Sequence, residues 1–118
     1  MIVNMKESLI QEIQTVIEEI IAVTDYFYQQ KQQDGYLALN GLLKKLIMLT
    51  EDMEQYCRTE ELVFNEEQWL NSFTQAMSAL EEKDEILLAD LLSLEIAKQL
   101  EDVFAGLRLG EEGSYVVL

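Results

Sequence analysis

Any chemistry in this chain has to come from carboxylates. Among 118 residues there are 23 Asp and Glu, 8 Lys and Arg and no His, for a net charge of −15. The acids recur as Glu51-Asp52-Glu54, Glu60-Glu61, Glu66-Glu67 and Glu81-Glu82. Clustered carboxylates can hold a divalent cation. At about one residue in five, however, acidic neighbours arise on every exposed face, where they serve solubility. The absence of histidine removes the commonest general base and metal ligand. It also excludes the bundle di-iron site built on Glu-x-x-His, and with one cysteine it leaves zinc without a ligand set. No EF-hand loop, P-loop or dinucleotide fingerprint occurs. Cys57 has no histidine to activate it and reads as a structural thiol. No catalytic, cofactor-binding or metal-ligating residue is assigned, no cofactor is expected, and the chain is not read as an enzyme.

Asp90 and Glu95 stand apart, because they interrupt the most apolar stretch, Leu80 to Phe104. On a helical wheel Leu92, Val103, Ile96, Ala89, Leu107, Leu100, Ile86, Phe104 and Ala97 share one face, the expected core stripe. Leu87, Leu88, Leu91 and Leu94 fall outside it. A helix that is apolar nearly all round is expected to be covered on all sides. Leu87, Leu88, Leu91 and Leu94, with Asp90 and Glu95, are therefore the candidate protein interface. Two arrangements stay open for the acids, facing solvent beside the leucines or pairing at a helix–helix contact. Two also stay open for the leucines: an interface, or a rotated helix in which some of them join the core.

Within this stretch Ala79-Leu80-Glu81, Lys83-Asp84, Leu87-Leu88-Ala89-Asp90-Leu91-Leu92 and Glu95-Ile96 form a pattern. It resembles the C-terminal signature of small uncharacterised helical proteins of clostridial-type bacteria, some of them encoded near flagellar genes. The likeness covers the last third of the chain. It departs where that pattern often continues with proline, since Ala97-Lys98-Gln99 reads as unbroken helix. The resemblance implies a bacterial helical protein and carries over no activity.

The elements that must position these residues are helices. Proline is absent and glycine occurs only 5 times, so little interrupts a helix. Apolar residues make up 49 %, too many for a disordered chain, and the length suits one domain over 1–118. Helix 1 is predicted over 5–31, with Asn4 and Glu7 at capping spacing and a seam of Leu9, Ile13, Val16, Ile20, Val23 and Phe27. Ile10, Ile17, Ile21 and Tyr28 widen that seam. Gly35 is expected to end the helix in the left-handed conformation. Helix 2 is predicted over 36–57 with a stripe of Leu39, Leu42, Leu46, Leu49, Met53 and Tyr56, and Leu43 and Ile47 beside it. Gly41 within it marks either a close helix approach or a surface accident. Helix 3 is predicted over 66–82, capped by Asn65, with Phe64 and Trp69 at hydrophobic-staple spacing and Leu70, Phe73, Ala76, Met77 and Leu80 inward. Helix 4 is predicted over 84–109, capped by Asp84 and stopped by Gly110. An extended tail follows over 110–118. The expected fold is an all-α, antiparallel up-down four-helix bundle with a short extended C-terminal tail.

Charge narrows the partners. An acidic surface repels phosphate backbones and anionic bilayers, so neither nucleic acid nor membrane is expected as a partner. No run reaches the ~18 apolar residues of a membrane span. The start MIVNMKESLI lacks a basic, apolar leader, and one cysteine suits a reducing cytoplasm. The functional expectation is a non-enzymatic, chaperone-like interaction module, binding itself as a homodimer or another protein. A carboxylate-based metal-dependent protein and a purely structural homodimer are the alternatives.

Overall fold

The computed structural model describes residues 5–60 and 64–116, with side chains through Arg108. Helices α1 (Met5–Tyr28), α2 (Gln32–Thr59) and α3 (Glu66–Glu81) precede a composite fourth helix. That helix consists of α4 (Glu85–Asp90), a π-helical segment (Leu91–Ile96) and α5 (Ala97–Val116). Among the described residues there is no strand, and the fold is an all-α bundle.

Leu9, Ile13, Val16, Ile20, Val23 and Phe27 of α1 are all buried, as are Leu39, Leu42, Leu46, Leu49, Met53 and Tyr56 of α2. The pairings between the two helices run in opposite order. Phe27 meets Tyr36 edge to face at 5.2 Å, Glu19 meets Lys45 at 2.6 Å, and Glu12 meets Asp52. The two helices therefore form a hairpin. Ile10 widens the stripe of α1 as expected, whereas Ile21 and Tyr28 stay exposed.

The turn between them is tighter than the glycine implied. Helix α1 ends at Tyr28, and Gln30 takes the left-handed position at φ 61°. Lys31 N–H bonds Tyr26 O at 2.8 Å and Gln30 N–H bonds Phe27 O at 3.1 Å, the two bonds of a Schellman ending. Gly35 is instead an interior residue of α2, and its lack of a side chain answers a contact. A Cβ there would lie 2.7 Å from Phe27 Cε1. Gly41 has nothing within 4 Å and is a surface glycine.

The same turn recurs between α3 and α4. Lys83 sits at φ 56°, Asp84 N–H bonds Ala79 O at 2.9 Å, and Lys83 N–H bonds Leu80 O at 3.1 Å. Asp84 caps α4 by accepting from Leu87 N–H at 3.1 Å, and Asn65 caps α3 by accepting from Gln68 N–H at 3.0 Å. Asn4, expected to cap α1, lies outside the described residues.

Helix α5 corrects the tail. The extended tail expected over 110–118 is replaced by helical backbone through Val116, and Gly110 does not stop it. Glycine permits a helix end without imposing one, and no proline follows to impose it. Residues 117–118 lie outside the described residues.

The π segment corrects the phase of the fourth helix. Leu88, Leu92, Ile96 and Leu100 are all buried. Three successive steps of four residues would carry a plain α-helix about 120° off its own face. A π turn holds more residues, with i→i+5 bonding, and Ala97 N–H reaches back to Leu92 O. Steps of four thus stay on the core side. Ser93 Oγ donates to Ala89 O at 2.9 Å within the same stretch, a side-chain bond of the kind that accompanies departures from α geometry.

Candidate functional site

The six residues expected to form one interface are divided by this change of phase. Leu88 and Leu91 are buried in the protein's own core, whereas Leu87 and Leu94 are 43 % and 68 % exposed. Ile86, expected in the core, is 51 % exposed, and Phe104 is half-buried. The rest of the expected stripe, Ala89, Leu92, Ile96, Ala97, Leu100, Val103 and Leu107, is buried, so the π segment shifts the phase chiefly at the start of the helix. Asp90 does pair at a helix contact: Tyr28 Oη donates to its Oδ1 at 2.5 Å and lies 3.5 Å from Ser93 Oγ. One turn earlier, Tyr36 Oη donates to Glu85 Oε2 at 2.9 Å. Two tyrosines at the α1–α2 turn thus hold two acids of the fourth helix. The Asp90 bond is the first cause that pushes the Tyr28 phenol up; for Tyr36, burial leads and Glu85 follows. Glu95 faces solvent.

A larger apolar surface lies elsewhere. Helix α3 packs on α4 and the π segment rather than along α2. Its buried positions are Trp69, Ser72, Ala76 and Ala79. Apart from the tryptophan these are small side chains, and small side chains let two helix backbones approach closely. Ser72 Oγ also accepts from Gln99 Nε2 of α5 at 2.8 Å. The larger residues expected to face the core are displaced by this approach. Leu70 is 49 % exposed, and Phe73, Met77 and Leu80 are only half-buried.

Of these, Leu70, Phe73 and Met77 face α2 across an open groove of about 730 Å³. Ile47, 57 % exposed, forms the α2 wall with Thr50, while Leu70, Phe73 and Met77 form the opposite side. Thr74 and Ser78 supply polar edges, and among the described residues Glu51 and Glu81 are the ionisable groups lining it. Trp69 ties the helices near Thr50. Its indole Nε1–H donates to Thr50 Oγ1 at 2.9 Å, and that hydroxyl donates in turn to Leu46 O at 2.8 Å. Trp69 also stacks edge to face with Phe73 at 5.4 Å. The indole is therefore fully engaged, and the groove-lining Phe73 rests on the buried Trp69.

A second arrangement lies on the α1–α2 hairpin. The Glu12 carboxyl is pushed up to about 7, first by burial and then by its hydrogen bond to and repulsion from Asp52. The pair lies between two smaller hollows, one lined by Leu9 and Tyr56 and the other by Val16, Lys45 and Met48. Lys45 is held by Glu19. Burial, followed by Glu66 and Glu54, pushes the Cys57 thiol up, which disfavours the nucleophilic thiolate. Among the described residues, no group of three or more His, Cys, Asp or Glu is gathered as a metal would require. No described helix is long and apolar enough to cross a membrane.

The groove was legible only as a second pattern on α3. Ser72, Ala76 and Ala79 recur at steps of four and three, beside a parallel row of Phe73, Met77 and Leu80. Two rows, one small and one large, compete for a single core, and the small row marks the close helix contact. Glu12 carried its own signal, one position before Ile13 in the buried seam.

The family described as Domain of unknown function (DUF8042) matches residues 4–105. The chain belongs to this family. The matched region covers both hairpins, the groove and the Glu12–Asp52 pair. No curated protein and no solved structure matches the chain.

Proposed function

We propose that this DUF8042 protein is a non-enzymatic, helix-receiving interaction module. A helical segment of a protein partner lies in the groove between α2 and α3 and completes the side of the bundle those helices leave open. The observation that carries this reading is the groove itself, about 730 Å³ with Ile47 and Leu70 exposed on opposite walls. A contiguous apolar surface rimmed by polar groups is characteristic of a recognition site. An amphipathic helix laid into such a groove is a recurring recognition mode. The role is chaperone-like in the limited sense that an apolar helix face is shielded from water. On the likeness of the Leu80–Ile96 pattern and the lone thiol Cys57, the reading sets the protein in the cytoplasm of a clostridial-type bacterium.

Selection from a library of amphipathic helical peptides tests it. Peptides that bind the wild type should fail to bind an Ile47→Glu/Leu70→Glu variant of unchanged helicity. Binding undiminished by that variant, or no selected binder at all, removes the reading. Self-association through Leu87 and Leu94 is the second reading, favoured by their exposure. It has lost half its surface, because Leu88 and Leu91 are core residues. Sedimentation of the wild type against Leu87→Glu/Leu94→Glu decides it: a dimer that the substitution splits supports it, and a monomeric wild type removes it.

A further inference from the structure

We propose that the partner segment in the α2–α3 groove is a cationic amphipathic helix of a second protein, with basic residues flanking its apolar face. The inference rests on the groove reading above and adds the charge of the occupant. Among the described residues the ionisable side chains lining the groove are Glu51 and Glu81, both acidic. Helix α3, which forms the longer wall, carries Glu66, Glu67 and Glu81 and no Lys or Arg. On α2 the adjacent lysines do not reverse this sign. Lys45 is held by Glu19 across the α1–α2 hairpin, and Lys44 does not line the groove. Behind the local charge stands a net −15 for the chain, a field that raises the encounter rate of a cationic segment and repels an anionic one. A second copy of this chain would bring another −15 to the contact, so the charge argues against self-occupancy.

Length is set by α3, whose lining residues run from Leu70 to Glu81. That span is about 16 Å of helix. A ligand helix of about three to four turns covers it, with apolar residues spaced at three and four. Its basic residues belong at the flanks of that face, where Lys and Arg stems can lie along the groove walls and their charges can reach the two glutamates.

Three model peptides of one length and one leucine face, with Lys, Gln or Glu on the polar positions, test the inference by fluorescence anisotropy. The Lys peptide is expected to bind about tenfold more tightly than the Glu peptide at low salt, and the preference should shrink at moderate salt. Glu51→Gln/Glu81→Gln should narrow the preference while leaving the Gln peptide's affinity unchanged. If all three peptides bind equally, the charge inference falls and the groove reading stands. If none binds, both fall. Should Ile47→Ser/Leu70→Ser leave the Lys peptide's affinity intact, the attraction is diffuse charge on the surface, and the inference is overturned.

Discussion

The two hairpins share a turn and differ in almost everything that follows it. Each places a non-glycine residue, Gln30 or Lys83, in the left-handed position and closes with the same pair of backbone bonds. After that turn, α1 and α2 face each other through long branched side chains over their whole length, and each seam is fully buried. The second hairpin joins α3 to the composite helix through Ser72, Ala76 and Ala79 on one side and a π segment on the other. The first hairpin also leaves apolar residues exposed, Ile21, Leu37, Ile47 and Met48 among them, and Ile47 is its contribution to the groove. The second leaves Leu70 exposed and Phe73, Met77 and Leu80 only half-buried, because its small residues took the inner positions. A core built from large residues consumes its own apolar surface. A core built from small ones gains close approach and leaves its large neighbours partly exposed.

The comparison breaks most directly at a single leucine in each region. Leu46→Ala, in the fully buried α2 seam, should cost about 2–5 kcal/mol in urea denaturation. Leu70→Ala, on the groove wall, should cost well under 1 kcal/mol, about the size of an ordinary surface change. Equal losses would mean that the groove is part of the core.

Enlarging the small row should cost less than the seam leucine and more than the groove leucine. Ala76→Leu forces extra volume between α3 and the fourth helix, and is expected to cost about 1–3 kcal/mol. The same measurement on Ser78→Leu, at the groove edge, should show little change. If Ala76→Leu were neutral, the close approach of these helices would not depend on small side chains.

Two glycines of α2 sharpen the contrast within the first hairpin. Gly41→Ala meets open space and should gain up to about 1 kcal/mol from helix propensity. At Gly35 the added Cβ meets the Phe27 ring, so Gly35→Ala should lose stability despite the same propensity gain. Thermal melts of both, and of Gly35→Ala/Phe27→Leu as a rescue, check the pair.

The smallest expected effect is the pH dependence of Glu12, since the pair is partly exposed and solvent screens it. Its folded carboxyl titrates at about 7, against an ordinary value of 4.5. A raised carboxyl favours the folded state while it holds its proton. That contribution is complete below about 4.5 and is lost as the pH rises through about 7. Glu12→Gln keeps a neutral, hydrogen-bonding side chain at every pH. It should match the wild type at pH 4 and exceed it at pH 8 in melting temperature. A variant no more stable than the wild type at pH 8 would remove the account in which burial and Asp52 raise the Glu12 carboxyl.

Local features of the sequence were enough for the helices, the caps of α3 and α4 and the two seams of the first hairpin. Asn65 and Asp84 cap helices because their side-chain oxygens reach backbone N–H groups three residues on. The seam of α1 is buried as its spacing implies, because steps of three and four keep one face of a regular helix. Gly35 was misread for a physical reason. Its freedom of φ is a property of the residue, whereas the ring of Phe27 above it belongs to another helix. The wheel of the fourth helix placed Ala89, Leu92, Ile96, Ala97, Leu100, Val103 and Leu107 in the core, where they are buried, but missed Leu88 and Leu91, because a wheel assumes one pitch and the π segment from Leu91 to Ile96 changes it. Tertiary packing alone decided which row of α3 faced inward. Both the small and the large row satisfy the helical period, and only the approach of the fourth helix distinguishes them. The groove exists because that choice is made between helices, at a distance no local pattern of residues encodes.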